Sequence, residues 1–204
     1  MRVLIVCGGN IASDKFVFEI HQPFIYEQMK ELKKLGVEFD VYLIKGKGIL
    51  GYLANLLPYW IKLISNHYDL VHAHDGTAGM LAVLRLFTPV IVTFHGSDIY
   101  LPRLRVFSIM AMHLSSFNIF VDEKLLFISK YRGSNYSIIP CGYDHETFYP
   151  MDKNECRQRL GIEPEKKVDQ KTKQEYWAIP TLEWTKLVLA LCRRFPFHGW
   201  SGSR

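Results

Sequence analysis

The sequence predicts a doubly wound α/β domain with a mostly parallel, Rossmann-like sheet. Short β-rich runs alternate with helical patterns from residue 2 to about residue 140. The strand-like runs lack the polar alternation of half-exposed strands, which indicates a sheet that is buried on both faces. Parallel strands joined by right-handed crossover helices satisfy both observations. The 204 residues, 49% of them hydrophobic, suffice for one such domain.

The first half of the predicted domain contains two strands and two helices. Arg2–Cys7 (RVLIVC) is apolar after its first residue and predicts the first strand. Pro23–Leu35 predicts a helix whose apolar residues share one face, with Gly36 as its left-handed stop. The second strand is predicted over Phe39–Ile44, and the second helix over residues 50–66.

The second half of the predicted domain repeats this alternation. Asp69–Ala73 and Val90–Phe94 predict the third and fourth strands, and the apolar segment Thr77–Phe87 predicts the helix between them. Pro102 opens the next helix at a favoured first-turn position. The residues of this helix that we expect to face the core are Leu104, Phe107, Ala111 and Leu114. The remaining short strands are predicted over Ile119–Val121 and Ser137–Ile139.

The strongest membrane candidate in the chain is the apolar segment 49–64 (ILGYLANLLPYWIKLI), which predicts an amphipathic helix. It is shorter than the ~20 residues that span a bilayer, and it contains Asn55, Pro58 and Lys62. The apolar residues that recur at helical spacing are Leu53, Leu56, Leu57, Trp60, Ile61 and Ile64. We expect this face to pack on the sheet, and peripheral contact with the inner face of a membrane is the alternative.

The net charge of +5 is unevenly distributed and does not predict a nucleic-acid partner. Residues 169–204 carry a net charge of +3, which leaves +2 for residues 1–168. No nucleic-acid recognition motif accompanies the basic tail. The four cysteines form no CxxC pair, and the apolar run at the N-terminus is too short for a signal peptide. We therefore expect a reduced, cytoplasmic protein.

Ligands of open parallel sheets bind beyond the carboxyl ends of the strands, which singles out three segments. Gly8–Gly9 follows the first strand and allows a ligand to approach the backbone, although the GxGxxG pattern is absent. His74–Asp75–Gly76 follows the third strand. His95–Gly96–Ser97–Asp98 follows the fourth, and its histidine suits donation to developing negative charge. An ordinary strand-to-loop turn explains this last cluster equally well.

His72 and His74 lie two residues apart on a predicted strand and therefore on the same face. With Asp75 they suggest metal ligation, but no third ligand at a recognisable spacing accompanies them. We therefore expect one core histidine and one crevice histidine, with no metal and no other cofactor.

Five segments in the first 150 residues follow one another in the order and at the spacing of motifs from one protein family. They are FIYEQMKELKKLGVEFDVYLIKGKG (24–48), YDLVHAHDGTAGMLA (68–82), PVIVTFHGSDI (89–99), FVDEKL (120–125) and IIPCGYDHETFYP (138–150). In order and spacing they resemble the N-terminal half of family 4 glycosyltransferases, enzymes with the two-domain GT-B architecture. The family pattern P-x-G-x-D-x-x-x-F-x-P is matched at Pro140, Gly142, Asp144, Phe148 and Pro150. The IKGKG stretch with Gly51–Tyr52 is similar to members that build bacterial surface polysaccharides.

The resemblance implies transfer of a sugar from a nucleotide-sugar donor to a glycan or lipid-linked acceptor. It also implies retention of the anomeric configuration, no catalytic metal, an acceptor site on the N-terminal domain and a donor site on a C-terminal one. His95 matches the histidine that faces the transferred sugar and is the predicted catalytic residue. The predicted substrate-binding residues are Gly8, Gly9, His74, Ser97 and Asp98.

The chain departs from the family after its first domain. We expect a Rossmann-like domain over residues 1–150, a linker helix over 151–168 and an atypical tail over 169–204, which is too short for a donor domain. Residues 176–178 (YWA) replace the glycines expected after Glu175. An internal deletion or a reading-frame change explains this departure. We therefore expect a truncated enzyme that is inactive alone, and the alternative is a non-catalytic module that binds an acceptor or a membrane.

Overall fold

A computed structural model describes residues 1–8, 16–46, 48–85, 87–143, 149–163 and 179–180. Six strands in these ranges form one all-parallel sheet in the order β2-β1-β3-β4-β5-β6. They are β1 (Arg2–Gly8), β2 (Glu38–Ile44), β3 (Leu70–His74), β4 (Val90–Phe94), β5 (Phe117–Phe120) and β6 (Tyr136–Ile138). The sheet confirms the predicted fold class, and the strand order reverses direction between β1 and β3, where such sheets bind ligands.

Helices cover both faces of the sheet. They are α1 (Phe18–His21), α2 (Pro23–Lys34), α3 (Gly48–Leu53), α4 (Leu56–Ser65), α5 (Gly76–Ala82), α6 (Ser97–Tyr100), α7 (Pro102–Leu114), α8 (Glu123–Ser129) and α9 (Lys153–Arg159). None of the described helices is long and apolar enough to cross a membrane. Two further short strands, β7 (Gly142–Tyr143) and β8 (Ile179–Pro180), pair in parallel with each other outside this sheet. The other residues of the predicted tail lie outside the described ranges, and the division into domain, linker and tail stays a prediction.

Strand β1 shows why the sequence lacks polar alternation. Val3, Ile5 and Cys7 are buried in a cluster with α2, whereas Leu4 and Val6 are buried in a second cluster with α4 and α5. Successive side chains of a strand point to opposite faces, so a strand at the centre of a covered sheet requires apolar residues at every position.

Helix α7 presents only part of the predicted face to the core. Ala111 is buried and Leu104 is half-buried, but Phe107 and Leu114 are exposed. The other buried positions of α7 are Ser108 and Met112. The reason is the close approach of α5, which selects small residues rather than large apolar ones on the contacting face.

The predicted helix over 50–66 is divided into α3 and α4 by Asn55. Its side-chain amide donates to the carbonyls of Lys45 and Gly51, both at 2.6 Å, and its Oδ1 accepts from the backbone N–H of Lys45 at 3.2 Å. These bonds satisfy backbone groups that a continuous helix or strand would otherwise pair. Asn55 therefore attaches the two helices to the end of β2.

The predicted core-facing residues of this segment divide between two faces. Leu56 and Trp60 pack against the buried cluster that contains Tyr59, as expected. The remaining four, Leu53, Leu57, Ile61 and Ile64, are exposed. The prediction was wrong for these four because α4 is apolar on both sides, and periodicity alone does not tell which side meets the sheet.

Replacing Gly76 with alanine is predicted to destabilise the fold. A Cβ at Gly76 would lie 2.7 Å from Ser108 Cα on α7, so one of the two helices has to move. Overpacking of this kind costs about 1–3 kcal/mol of unfolding free energy. Urea unfolding measures the change. Gly8→Ala is the control, because a Cβ at Gly8 meets no described atom within 4 Å, and equal losses in the two variants would contradict the tight α5–α7 contact.

Candidate active site

Three histidines meet at the carboxyl ends of β3 and β4. The rings of His72 and His74, on one face of β3, have centroids 4.3 Å apart. His74 Nδ1 lies 3.1 Å from Nε2 of His95, the residue that follows β4. His72 Nε2 lies 2.8 Å from Thr93 Oγ1, which makes His72 the core histidine of the pair. The structure thus brings together the predicted residues His74 and His95.

The three imidazoles are neutral at physiological pH because they are desolvated inside the fold. Desolvation lowers the pKa of His72 to about 3 and that of His95 to about 4. Desolvation and the neighbouring imidazoles lower the pKa of His74 well below its ordinary value. A neutral imidazole has one hydrogen-bond donor and one acceptor. The pair therefore suits hydrogen bonding to uncharged hydroxyl groups rather than proton donation at neutral pH.

Asp98 connects the two loops that carry these histidines. Its Oδ2 accepts a hydrogen bond from the N–H of Gly76 at 2.8 Å, and its Oδ1 accepts from the N–H of Gly96 at 2.9 Å. Burial raises the pKa of Asp98 to about 6, against the opposing effect of these two N–H donors. Both carboxylate oxygens are occupied by backbone groups, so the side chain fixes the positions of the two loops.

Asp75 forms the turn between the end of β3 and the start of α5. Its backbone has a φ of 77°, which is uncommon for a residue other than glycine. Its Oδ1 accepts hydrogen bonds from the N–H groups of Thr77 and Ala78, both at 2.8 Å, and caps the N-terminus of α5. Unusual backbone geometry of this kind clusters at functional sites.

Two other predicted residues, Gly8 and Ser97, occupy the same edge of the sheet. The Gly8 carbonyl accepts a hydrogen bond from Gln22 Nε2 at 3.0 Å, and the space where a Cβ of Gly8 would point contains no described atom within 4 Å. Ser97 is exposed at the start of α6, after Gly96 has turned the chain with a φ of 126°. Gly9 lies outside the described residues.

A cavity beside the histidine pair contains residues that the sequence did not identify. Its lining consists of Phe24, Glu27 and Gln28 from α2, His74 and His95 from the strand ends, and Cys141–Gly142. The Sγ of Cys141 lies 3.8 Å from His95 Nδ1, and burial raises the pKa of this thiol to about 11. The available signal for Gln28 was its position among apolar residues on the inner face of α2.

Metal ligation receives no support from this geometry. Within the part of the chain that the structure describes, no group of three histidine, cysteine, aspartate or glutamate side chains is arranged to hold a metal ion. His74 lines the cavity and His72 contacts Thr93, so the two histidines occupy crevice and core positions.

The parallel sheet with a polar site at the reversal of strand order defines a Rossmann-like ligand-binding domain. The chain belongs to Glycosyltransferase Family 4, which matches residues 22–147. This match confirms the family that the five sequence segments resemble. No curated protein sequence matches the chain.

One solved structure shows the same fold, and a second is similar at a lower score. Sucrose-phosphate synthase from Thermosynechococcus elongatus is similar, with a TM-score of 0.57 and 12% sequence identity, over 79% of this chain and 52% of that one. Anabaena Alr3699/HepE in complex with UDP and glucose has a TM-score of 0.47 and 19% identity, over 78% and 50% of the two chains. The chain thus spans about half the length of each of these two proteins.

The free energy of unfolding is predicted to fall as the pH is lowered from 7 to 5. In the unfolded chain the histidines bind protons below their ordinary pKa of 6.5, whereas the folded cluster remains neutral, so acid favours unfolding. Each imidazole contributes about 1.4 kcal/mol per pH unit below 6.5. Asp98 acts in the opposite sense, because its raised pKa lets the folded state bind a proton first. Urea unfolding at several pH values measures the net slope.

His72→Asn is predicted to reduce this slope by about 1.4 kcal/mol per pH unit, because one buried imidazole is removed. His67→Asn is the matched control, since the side chain of His67 is largely exposed. A slope that His72→Asn leaves unchanged would contradict a neutral buried cluster.

Proposed function

We propose that this chain is the acceptor-side half of a retaining glycosyltransferase, which transfers a sugar from a nucleotide-sugar donor to a glycan or lipid-linked acceptor. The observation that carries the proposal is the 3.1 Å contact between His74 and His95 at the ligand-binding edge of the sheet. Membership of Glycosyltransferase Family 4 supports the reaction class.

The proposed roles follow from the chemistry of each group. By the family resemblance, the neutral imidazole of His95 faces the transferred sugar. Gly8 lets a ligand approach the end of β1, since no described atom lies within 4 Å of the place that a Cβ would take there. The exposed hydroxyl of Ser97 adds a donor and an acceptor at the same edge. Asp98 belongs to the site as a positioning residue through its bonds to Gly76 and Gly96.

The chain alone is proposed to bind an acceptor without turning over a donor. Transfer requires both substrates to be held in one preorganised crevice, and this chain spans 52% of the length of the synthase it resembles. The resemblance of the IKGKG stretch to enzymes of bacterial surface polysaccharide synthesis supports a polysaccharide precursor as the acceptor.

Neutral oligosaccharides are predicted to raise the melting temperature of the protein, and UDP or GDP alone is not. A ligand at about 100 times its Kd stabilises the folded state by about 2.7 kcal/mol. Gly8→Ala is expected to fold normally but to abolish the oligosaccharide effect, because the added methyl group enters the open space beside β1. Differential scanning fluorimetry measures these shifts, and the release of nucleoside diphosphate from a set of nucleotide-sugars measures turnover.

Two results would contradict this proposal. Stabilisation by nucleotides but not by oligosaccharides would assign the chain to the donor side. Turnover of a nucleotide-sugar by the chain alone, lost in His95→Ala, would show that the half-enzyme is active and that the predicted inactivity is wrong.

We propose membrane-surface binding through α3 and α4 as a second function. Five residues form an apolar stripe on these helices, with exposed fractions between 54% and 82%, namely Leu50, Leu53, Leu57, Ile61 and Ile64. Residues 45–66 contain no aspartate or glutamate but include three lysines. An apolar stripe beside cationic side chains suits the anionic face of a bilayer, where a lipid-linked acceptor would also lie.

Double replacement of Leu57 and Ile61 with glutamate is predicted to abolish flotation with phosphatidylglycerol-containing vesicles. The wild-type chain is expected to float at low salt and less so at 0.5 M NaCl, because salt screens the lysines. Phe127→Glu is the control, since Phe127 is an apolar residue of α8 with 84% exposure. Equal flotation of the two variants would contradict binding through the apolar stripe.

A further inference from the structure

The cavity beside the histidine pair contains an amide without a described partner. Gln28 is 1% exposed, and neither its Oε1 nor its Nε2 has a hydrogen-bond partner among the described residues. His74 lines the same cavity, is 3% exposed, and has an Nε2 that is also unpartnered within the described ranges. Buried polar atoms are normally paired, so three unpaired atoms on two residues that line one cavity indicate a missing group.

Gln28 occupies a position where the fold alone would favour an apolar side chain. The inner face of α2 also contains Ile25, Met29 and Leu32, which are buried against the sheet. Burial of an unpaired amide destabilises the folded state, and methionine would fill the same space without that cost. A residue that breaks the local pattern without a structural gain is typical of a functional position.

We propose that Gln28 and His74 form a subsite for one uncharged hydroxyl group of a bound carbohydrate, with Phe24 against the sugar ring. This inference rests on the proposed acceptor-binding function and adds a specificity-determining residue to it. The amide donates through Nε2 and accepts through Oε1, and a hydroxyl group does both. It also pairs with Nε2 of His74 in either tautomer, since that atom is a donor in one and an acceptor in the other.

The charges around the cavity favour a neutral ligand. The two imidazoles are uncharged at neutral pH, and the described lining contains the carboxylate of Glu27 but no lysine or arginine. The Nζ of Lys30 lies 3.4 Å from Glu27 Oε2, outside this lining. A phosphate or carboxylate would lose its hydration here without gaining a cation.

Phe24 supplies the apolar part of the subsite. It lies one helical turn before Gln28 on α2, so the two side chains are neighbours, and its side chain is 63% exposed. An exposed aromatic ring on the lining of a cavity that also contains polar side chains suits a pyranose, which has an apolar C–H face and polar hydroxyl edges.

The variant Gln28→Met tests the effect of the amide on stability and its effect on ligand binding separately. Removal of the unpaired amide is expected to raise the melting temperature of the ligand-free protein and to weaken binding of neutral methyl glycosides about 3- to 10-fold, the worth of one hydrogen bond. Gln158→Met is the matched control, because Gln158 is exposed on α9, and it is expected to change neither quantity.

The probes are the methyl glycosides of glucose, galactose, mannose and N-acetylglucosamine, with glucuronate as the anionic counterpart. Heteronuclear NMR follows the side-chain amide signal of Gln28, assigned by its absence in Gln28→Met, and the imidazole signals of His74 and His95. We expect at least one neutral glycoside to shift the signals of Gln28 and His74, and glucuronate to shift neither.

Each contrary outcome overturns a defined claim. If glycosides shift His95 but not Gln28, or bind Gln28→Met as tightly as the wild type, the subsite is wrong and the proposed acceptor function stands. If Gln28→Met lowers the melting temperature, or the amide keeps a bound water when sugar is added, Gln28 has a structural partner and the subsite is wrong. If no glycoside shifts any of these signals, the subsite is overturned. Oligosaccharide stabilisation of the wild type then decides the proposed function separately.

Discussion

The buried carboxylate of Asp98 accepts hydrogen bonds from the backbones of both loops that carry the site histidines. One oxygen binds the N–H of Gly76 after β3, and the other binds the N–H of Gly96 after β4. Ser108 on α7 also donates to the Asp98 carbonyl at 2.8 Å, which connects the helix layer to the same point. The separation of His74 and His95 is therefore set by the pairing of β3 with β4 and by the bonds of Asp98 to the two loops that follow these strands.

The site combines buried polar groups with a sheet that is apolar on both faces. Desolvation keeps the imidazoles neutral, and this neutrality makes the site suitable for hydroxyl groups rather than for anions. The same desolvation reduces the free energy of unfolding in acid, because only the unfolded chain gains the protons. The proposed ligand preference and the stability thus depend on one physical property of the strand ends, their low exposure to water.

The sequence predicted the sheet accurately and the helix faces poorly. Strands that are buried on both sides have few alternative interpretations, and each of the six strands of the parallel sheet lies within two residues of its predicted position. The prediction of which face of α7 is buried was partly wrong. Gly76 lets α5 approach α7 so closely that large side chains are not needed on the contacting face of α7. The segment that forms α3 and α4 is apolar on two sides, so only its attachment through Asn55 shows which side is exposed.

The sequence by itself determined the fold class, the family and the strand ends at which the candidate site lies, because these depend on local pattern and chain order. Only the tertiary structure decided which side chains meet. Gln28 is separated from His74 by more than forty residues in sequence, and they line one cavity because α2 packs against the sheet beside β1 and β3. The unpaired state of their polar atoms is a property of packing, which no spacing along the chain records.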